Sequence, residues 1–238
     1  MKRKPIIVML GLMAGSIATV CAQAYNLITF DQDKYHYGIQ IGYTQSKFDL
    51  KYTENASVRQ YLLGTTSYYT SGFHITVVGD MSLGKYVSLR ALPGVTLITR
   101  NMTYNWDRLY REQHPNLDEK RTVESVYGEL PVEFKFKALR WRDFRPYMTT
   151  GLCYGFDFAS LRKNKNTNNE SIIRLNPSDL RYTTGIGFDF FLKYVKFAIE
   201  LKAGFGLLDM KVPSDDLYTQ SVEWMRSRTF TISFTFEG

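Results

Sequence analysis

The sequence predicts an all-β chain: an eight-stranded antiparallel up-and-down transmembrane β-barrel after an N-terminal signal peptide. Three observations lead there. Apolar residues recur at every second position through eight stretches, the period of a strand whose two faces meet unlike surroundings. The links between these stretches alternate long and short along the whole chain, as they do in a bacterial outer-membrane meander with short inner turns and long outer loops. One face is Phe, Ile, Leu, Val and Tyr; the other is Gly, Thr, Ser and charged residues. A lipid-facing surface cannot carry the second set, and closure into a barrel satisfies the backbone groups that an open sheet would leave bare in lipid. A soluble lipocalin-like barrel would reverse the faces and waste the glycines in water.

The first 22 residues are expected to be a signal peptide. Lys2, Arg3 and Lys4 precede an apolar run from Ile6 to Val20, and small residues follow, with cleavage before Gln23 or Tyr25. The run is shorter than the ~20 apolar residues of a membrane helix. Of 30 basic residues, 3 fall in this segment, leaving 27 against 23 acids. Such a mild excess points to no nucleic-acid partner. Only Cys21 and Cys153 exist, so the cleaved chain has no internal disulfide to stabilise it. Cys153 is expected to be a small packing residue.

Residues 23–35 are a polar lead-in, and 36–238 the barrel. The first strand alternates Tyr37, Ile39, Ile41 and Tyr43 with small and polar residues; the apolar phase then shifts to Phe48, Leu50 and Tyr52. Such a slip predicts a bulge near Gln45–Lys47. Residues 53–71 are expected to be a long loop. Phe73, Ile75 and Val77 mark the second strand. The third runs from Tyr86 through Leu97 and carries Pro93, which predicts a bulge or bend. A charged loop is expected over 101–123. The fourth and fifth strands form a hairpin over Leu130–Phe158, with Leu130, Val132, Phe134 and Phe136 on one arm and Phe144, Met148, Leu152 and Tyr154 on the other. After a loop at 160–178, Tyr182, Ile186 and Phe188 define the sixth strand. Phe197, Ile199, Leu201 and Phe205 define the seventh. The last, after a loop at 209–225, carries Phe230, Ile232, Phe234 and Phe236.

The inward face holds a candidate polar network: Arg90, Glu129, Glu133, Asp157, Arg181 and Glu200, with Lys135, Asp189 and Lys202 beside them. Buried charges persist only when paired and hydrogen-bonded. Eight strands leave an interior that side chains fill, so the network is expected to be a plug rather than an ion path. Trp106, Tyr110, Trp141 and Trp224 are expected in aromatic girdles at the membrane surfaces. Arg162, Lys163 and Lys165 are candidates to meet lipopolysaccharide phosphates. His36, His74 and His114 form no nucleophile–base or metal-ligand pattern. No enzyme activity and no cofactor are expected; a lipid-modifying barrel enzyme, or a structural or adhesive barrel acting through its outer loops, are the alternatives.

The run Gly79-Asp80-Met81-Ser82-Leu83-Gly84-Lys85-Tyr86 followed by Leu89-Arg90-Ala91-Leu92-Pro93-Gly94 resembles the PorT family of outer-membrane proteins. So do Leu130-Pro131-Val132-Glu133-Phe134-Lys135-Phe136-Lys137 and Phe144-Arg145-Pro146-Tyr147, with order and spacing kept from about His36 to Phe158. The resemblance implies a non-enzymatic component of type IX protein secretion, in the outer membrane among lipid and lipopolysaccharide, with other secretion-system subunits as partners. It carries no catalytic residues. Arg90 and Glu133 match its motifs and are expected to pair inside the barrel.

Overall fold

A computed structural model describes residues 26–27, 29–52, 62–113, 120–159, 176–212 and 222–238. The ten strand segments are β1 (Tyr35–Tyr52), β2 (Leu62–Tyr68), β3 (Thr70–Ser82), β4 (Val87–Ala91), β5 (Gly94–Trp106), β6 (Lys120–Lys137), β7 (Phe144–Asp157), β8 (Ser178–Phe191), β9 (Lys196–Gly206) and β10 (Val222–Glu237). All pairings between them are antiparallel. β1 pairs with β10 on one side and β3 on the other, which closes the sheet. A one-turn helix, α1 (Arg108–Gln113), follows β5.

Two of the eight staves are interrupted. β4 and β5 are one stave broken at Leu92–Pro93. The register is the same on both sides, Gly79 facing Ala91 and Thr76 facing Gly94, so no residue is inserted. Val77 N–H still donates to the Pro93 carbonyl at 2.9 Å. Proline merely lacks the N–H that a ladder needs, so of the bulge or bend expected there the bulge is absent and the stave is only interrupted. β2 and β3 form the other interrupted stave. From Tyr68 to Gly72 the chain takes four steps, while the facing strand takes three, from Asn101 to Ile98. The extra residue is a bulge at Tyr69, which turns Thr65 and His74 to the same buried side.

Two expectations for the links change. The loop expected over 53–71 contains β2, which lengthens the second stave to Leu62; 53–61 lie outside the described residues. The loop expected over 101–123 shrinks, because β5 continues to Trp106 and β6 begins at Lys120.

The bulge expected at Gln45–Lys47 does not exist. β1 runs in unbroken register with β10 from Gly38 to Lys51 and with β3 from Tyr35 to Ser46. Phe48 is 2% exposed and points inward. What changes at this height is the solvent, not the register. Lower down, Tyr35, Tyr37, Ile39, Ile41 and Tyr43 face out and His36, Gln40 and Thr44 face in. Higher up, Gln45, Lys47, Asp49 and Lys51 face out and Phe48 faces in. β5 repeats the change: Val95 and Leu97 face out, followed by Thr99 and Asn101, while Ile98, Met102, Tyr104 and Trp106 are buried. β1 and β6 each have 18 residues, more than the roughly 9–11 that cross a bilayer. The upper tier therefore stands in water and adopts the polarity of a soluble protein. Its interior is an apolar cluster of Phe48, Ile98, Met102, Tyr104, Trp106, Tyr127, Met210, Val222 and Met225. Trp106 belongs to this cluster rather than to an outer girdle.

The opposite end carries the short turns, including 83–86, 138–143 and 192–195, together with both ends of the barrel: Gly238 N–H donates to the Tyr37 carbonyl at 3.1 Å. This is the inner, periplasmic end.

Candidate functional site

Every stave places alternate side chains in the lumen, and the polar phase of the sequence supplies them. Arg90 on β4 is fully buried. Its guanidinium crosses the lumen to Glu200 on β9 at 2.9 Å, with Asp80 and Glu237 each at 3.8 Å. Glu133 is the backbone register partner of Arg90, yet its carboxylate pairs with Lys202 at 2.8 Å and accepts from the Thr183 hydroxyl at 3.1 Å. The expected Arg90–Glu133 pair is replaced by two longer-reaching ones. Lys202 also meets Glu200 at 2.9 Å, and the Tyr147 hydroxyl donates to Glu200 at 3.0 Å. Glu200 thus joins β4, β7 and β9 across the lumen.

Above this layer, Arg181 pairs with Glu129 and lies 3.4 Å from Asp179; it also donates to the Cys153 sulfur at 3.2 Å. Thr96 donates to Glu129 at 2.7 Å. Asp157 stands apart from Arg90 and Glu200: its Oδ1 accepts from the backbone N–H groups of Val126 at 3.3 Å and Ala159 at 2.9 Å, pinning the outer end of the hairpin. Below, Lys135 meets Asp189 at 2.8 Å, and Lys196 meets Glu237.

The structure adds charged residues that period alone did not single out. Arg100 is fully buried between the polar and apolar layers. Its guanidinium donates to Ser46 at 2.7 Å, Tyr127 at 3.1 Å and Ser227 at 3.4 Å, with the Phe48 ring 4.7 Å away. Three hydroxyl oxygens and two ring faces take the place of a carboxylate. The signal for it was its place on the inward phase of β5, three residues beyond the end of the expected strand at Leu97.

The periplasmic mouth is closed by the lead-in. A 3₁₀ turn, Phe30–Gln32, lays Phe30 on His36 with ring centroids 3.8 Å apart. Asp31 pairs with Arg145 at 2.8 Å and Arg140 at 3.5 Å. Burial raises the Asp31 carboxyl, but Arg145 and then Arg140 more than offset this and hold it below its ordinary value of 3.8. Asn26 N–H donates to Asp143 at 2.8 Å, and Arg140 donates to the Asn26 carbonyl. These contacts strap the segment under the barrel.

The His74 ring lies 3.2 Å from the Thr44 hydroxyl and 3.4 Å from that of Ser233. A serine–histidine contact of this kind could be a nucleophile and base, but it sits on a lumenal chamber of about 50 Å³. That holds a water or two and no acyl chain. Trp141 is exposed at a periplasmic turn, and Trp224 faces outward at the upper end under the Arg226 guanidinium. The side chain of Tyr110, the loop cations Arg162, Lys163 and Lys165, His114, and the signal segment 1–22 lie outside the described residues.

Among solved structures, the chain is similar to the outer membrane protein OprG from Pseudomonas aeruginosa, at 13% identity and TM-score 0.44 over 86% of this chain and 96% of that one. It is similar to AlkL in lipid bilayers, at 10% identity and TM-score 0.44 over 91% and 92%. Neisserial surface protein A matches at 10% identity and TM-score 0.43 over 84% and 95%. No curated protein matches the sequence. The family model described as "Outer membrane protein beta-barrel domain" matches residues 23–212. With that match over most of its length, a closed antiparallel barrel and an apolar belt, the chain belongs to the outer membrane protein β-barrel domain family and resides in the outer membrane of a Gram-negative bacterium.

Proposed function

We propose that this barrel is a non-enzymatic, non-conducting component of type IX protein secretion that supports export or assembly of the machinery through its surfaces. The observation that carries the reading is the crossed lattice in the lumen, with Arg90 on Glu200 and Lys202 on both Glu133 and Glu200. A lumen blocked by paired side chains passes neither a folded protein nor a hydrated solute, so work must be done outside it. The choice of secretion rests on the resemblance to the PorT family. Part of that motif converges in space: the turn Leu83–Tyr86, the end of β6 at Lys137 and the start of β7 at Arg145 all line the periplasmic mouth.

The test is a clean deletion with comparison of extracellular and periplasmic proteins by mass spectrometry. Cargo retained in the periplasm and released again by complementation supports the reading. Normal export discards secretion and leaves the barrel.

A further inference from the structure

The periplasmic mouth holds a cleft of about 480 Å³ between the strap, the β3–β4 turn and the β6–β7 turn. That size is typical of a ligand site. Three lysines from three different segments line it: Lys34, Lys85 and Lys137. The backbone fixes their convergence. Ser82 N–H donates to the Lys34 carbonyl at 2.8 Å, and Lys137 N–H donates to the Tyr86 carbonyl at 2.7 Å. Lys137 Nζ donates to the Ser82 hydroxyl at 3.1 Å, while Lys34 and Lys85 lie over the rings of Tyr35 and Tyr86 at 5.7 and 5.6 Å.

These cations differ from the ion-paired ones in the lumen. Arg90, Lys135, Arg181, Lys196 and Lys202 each meet a carboxylate. None of the ion pairs among the described residues includes Lys34, Lys85 or Lys137. Asp31, in the same cleft, is already held by Arg145 and Arg140. Asp33 is the other carboxylate lining it. A concave site with three cations that no carboxylate pairs attracts an anion, and its local field persists within a Debye length of about 8 Å. The nearby turns expose Leu83, Leu139 and Trp141 at 53%, 64% and 77%, apolar surface for the residues flanking an acidic group.

We infer that this cleft binds an acidic peptide segment of a periplasmic partner protein. The anion chemistry stands on the geometry; the choice of a protein partner rests on the secretion reading.

The experiment uses the full mature chain folded in zwitterionic detergent and a fluorescein-labelled hexaglutamate probe, read by anisotropy at low salt. Binding should weaken with added salt and should fall about tenfold or more in the triple variant Lys34→Glu/Lys85→Glu/Lys137→Glu. A control of equal charge at the outer end, Lys47→Glu/Lys120→Glu/Arg226→Glu, should leave it unchanged. Retention of the compact band in unboiled electrophoresis verifies folding. If the triple variant fails to fold, Lys85→Glu alone, on an exposed turn, carries the comparison. No binding, equal binding by the periplasmic variant, or equal loss in the outer-end control overturns the proposal. A photo-crosslinker at Leu139 in cells separates the sources of the anion. A protein adduct through an acidic segment, lost in the triple variant, supports the site. An adduct with phospholipid alone overturns the choice of a peptide. Hexaglutamate binding with normal export in the deletion strain would discard secretion and keep the anion site; export failure without peptide binding would do the reverse.

Discussion

At the scale of single residues, the lumen is set by reach. The Arg90 side chain is long enough to leave its register partner and cross to β9, and it is buried among three carboxylates. Arg90→Met should lower stability by about 3 kcal/mol, the lower end for breaking a buried pair, because Lys202 and Lys196 still attend Glu200 and Glu237. Urea unfolding in detergent measures it, and adding Glu200→Gln should recover part of the loss; a neutral Arg90→Met would show that the lattice contributes nothing there. Gly187 makes room of another kind. A Cβ on it would stand 2.3 Å from the Tyr147 ring, so the ring that donates to Glu200 lies where a side chain would be. Gly187→Val should cost about 1–3 kcal/mol by overpacking and displace Tyr147. Tyr147→Phe, which keeps the ring and loses only the hydroxyl, should cost less.

At the scale of elements, two parts behave unlike a plain strand. The strap depends on Asp31. Its folded-state carboxyl lies below 3.8, so its contribution is fully present above the unfolded value and is lost as pH falls through the folded one. Asp31→Asn should loosen the strap at pH 7, seen as faster amide exchange at Phe30, whose N–H donates to the Leu27 carbonyl. Well below pH 3.8 wild type and variant should converge; a difference that persists in acid would assign the effect to something other than the charge. The upper tier depends on Phe48, 2% exposed within the apolar cluster and packed against the Arg100 guanidinium. Phe48→Ala should cost about 3–5 kcal/mol. Ile41→Ala, on the lipid belt at 46% exposure, should cost less in the same urea series.

For the whole molecule, the decisive property is that, among the described residues, ion pairs cross the lumen from stave to stave. The salt-bridged layers stand below Arg100 and its hydroxyls, and the apolar cluster closes the top. Planar-bilayer recordings of the purified chain should therefore show no steady conductance steps of the porin kind; reproducible steps would contradict a closed lumen. The enclosed Ser233–His74 contact makes the same point for chemistry, since a lipid cannot reach it. What faces the periplasm is the strap, the short turns and the lysine-lined cleft.

The sequence by itself determined the staves, the lipid belt and the alternation of short and long links. Each is written in period two, because lipid and lumen act on opposite faces of the same strand. It placed Arg90, Glu133, Arg181 and Glu200 on the inner face for the same reason. Only the tertiary structure decided their partners. Closure of the barrel brings β4 opposite β9, and which carboxylate an arginine reaches depends on stagger and side-chain length rather than on neighbours in sequence. Phe48 and Trp106 carry the same lesson: an apolar residue out of phase signals a register slip when lipid surrounds the strand throughout. Here the strand rises out of the membrane in one unbroken register, so the outward phase is apolar in lipid and the inward phase is apolar in water.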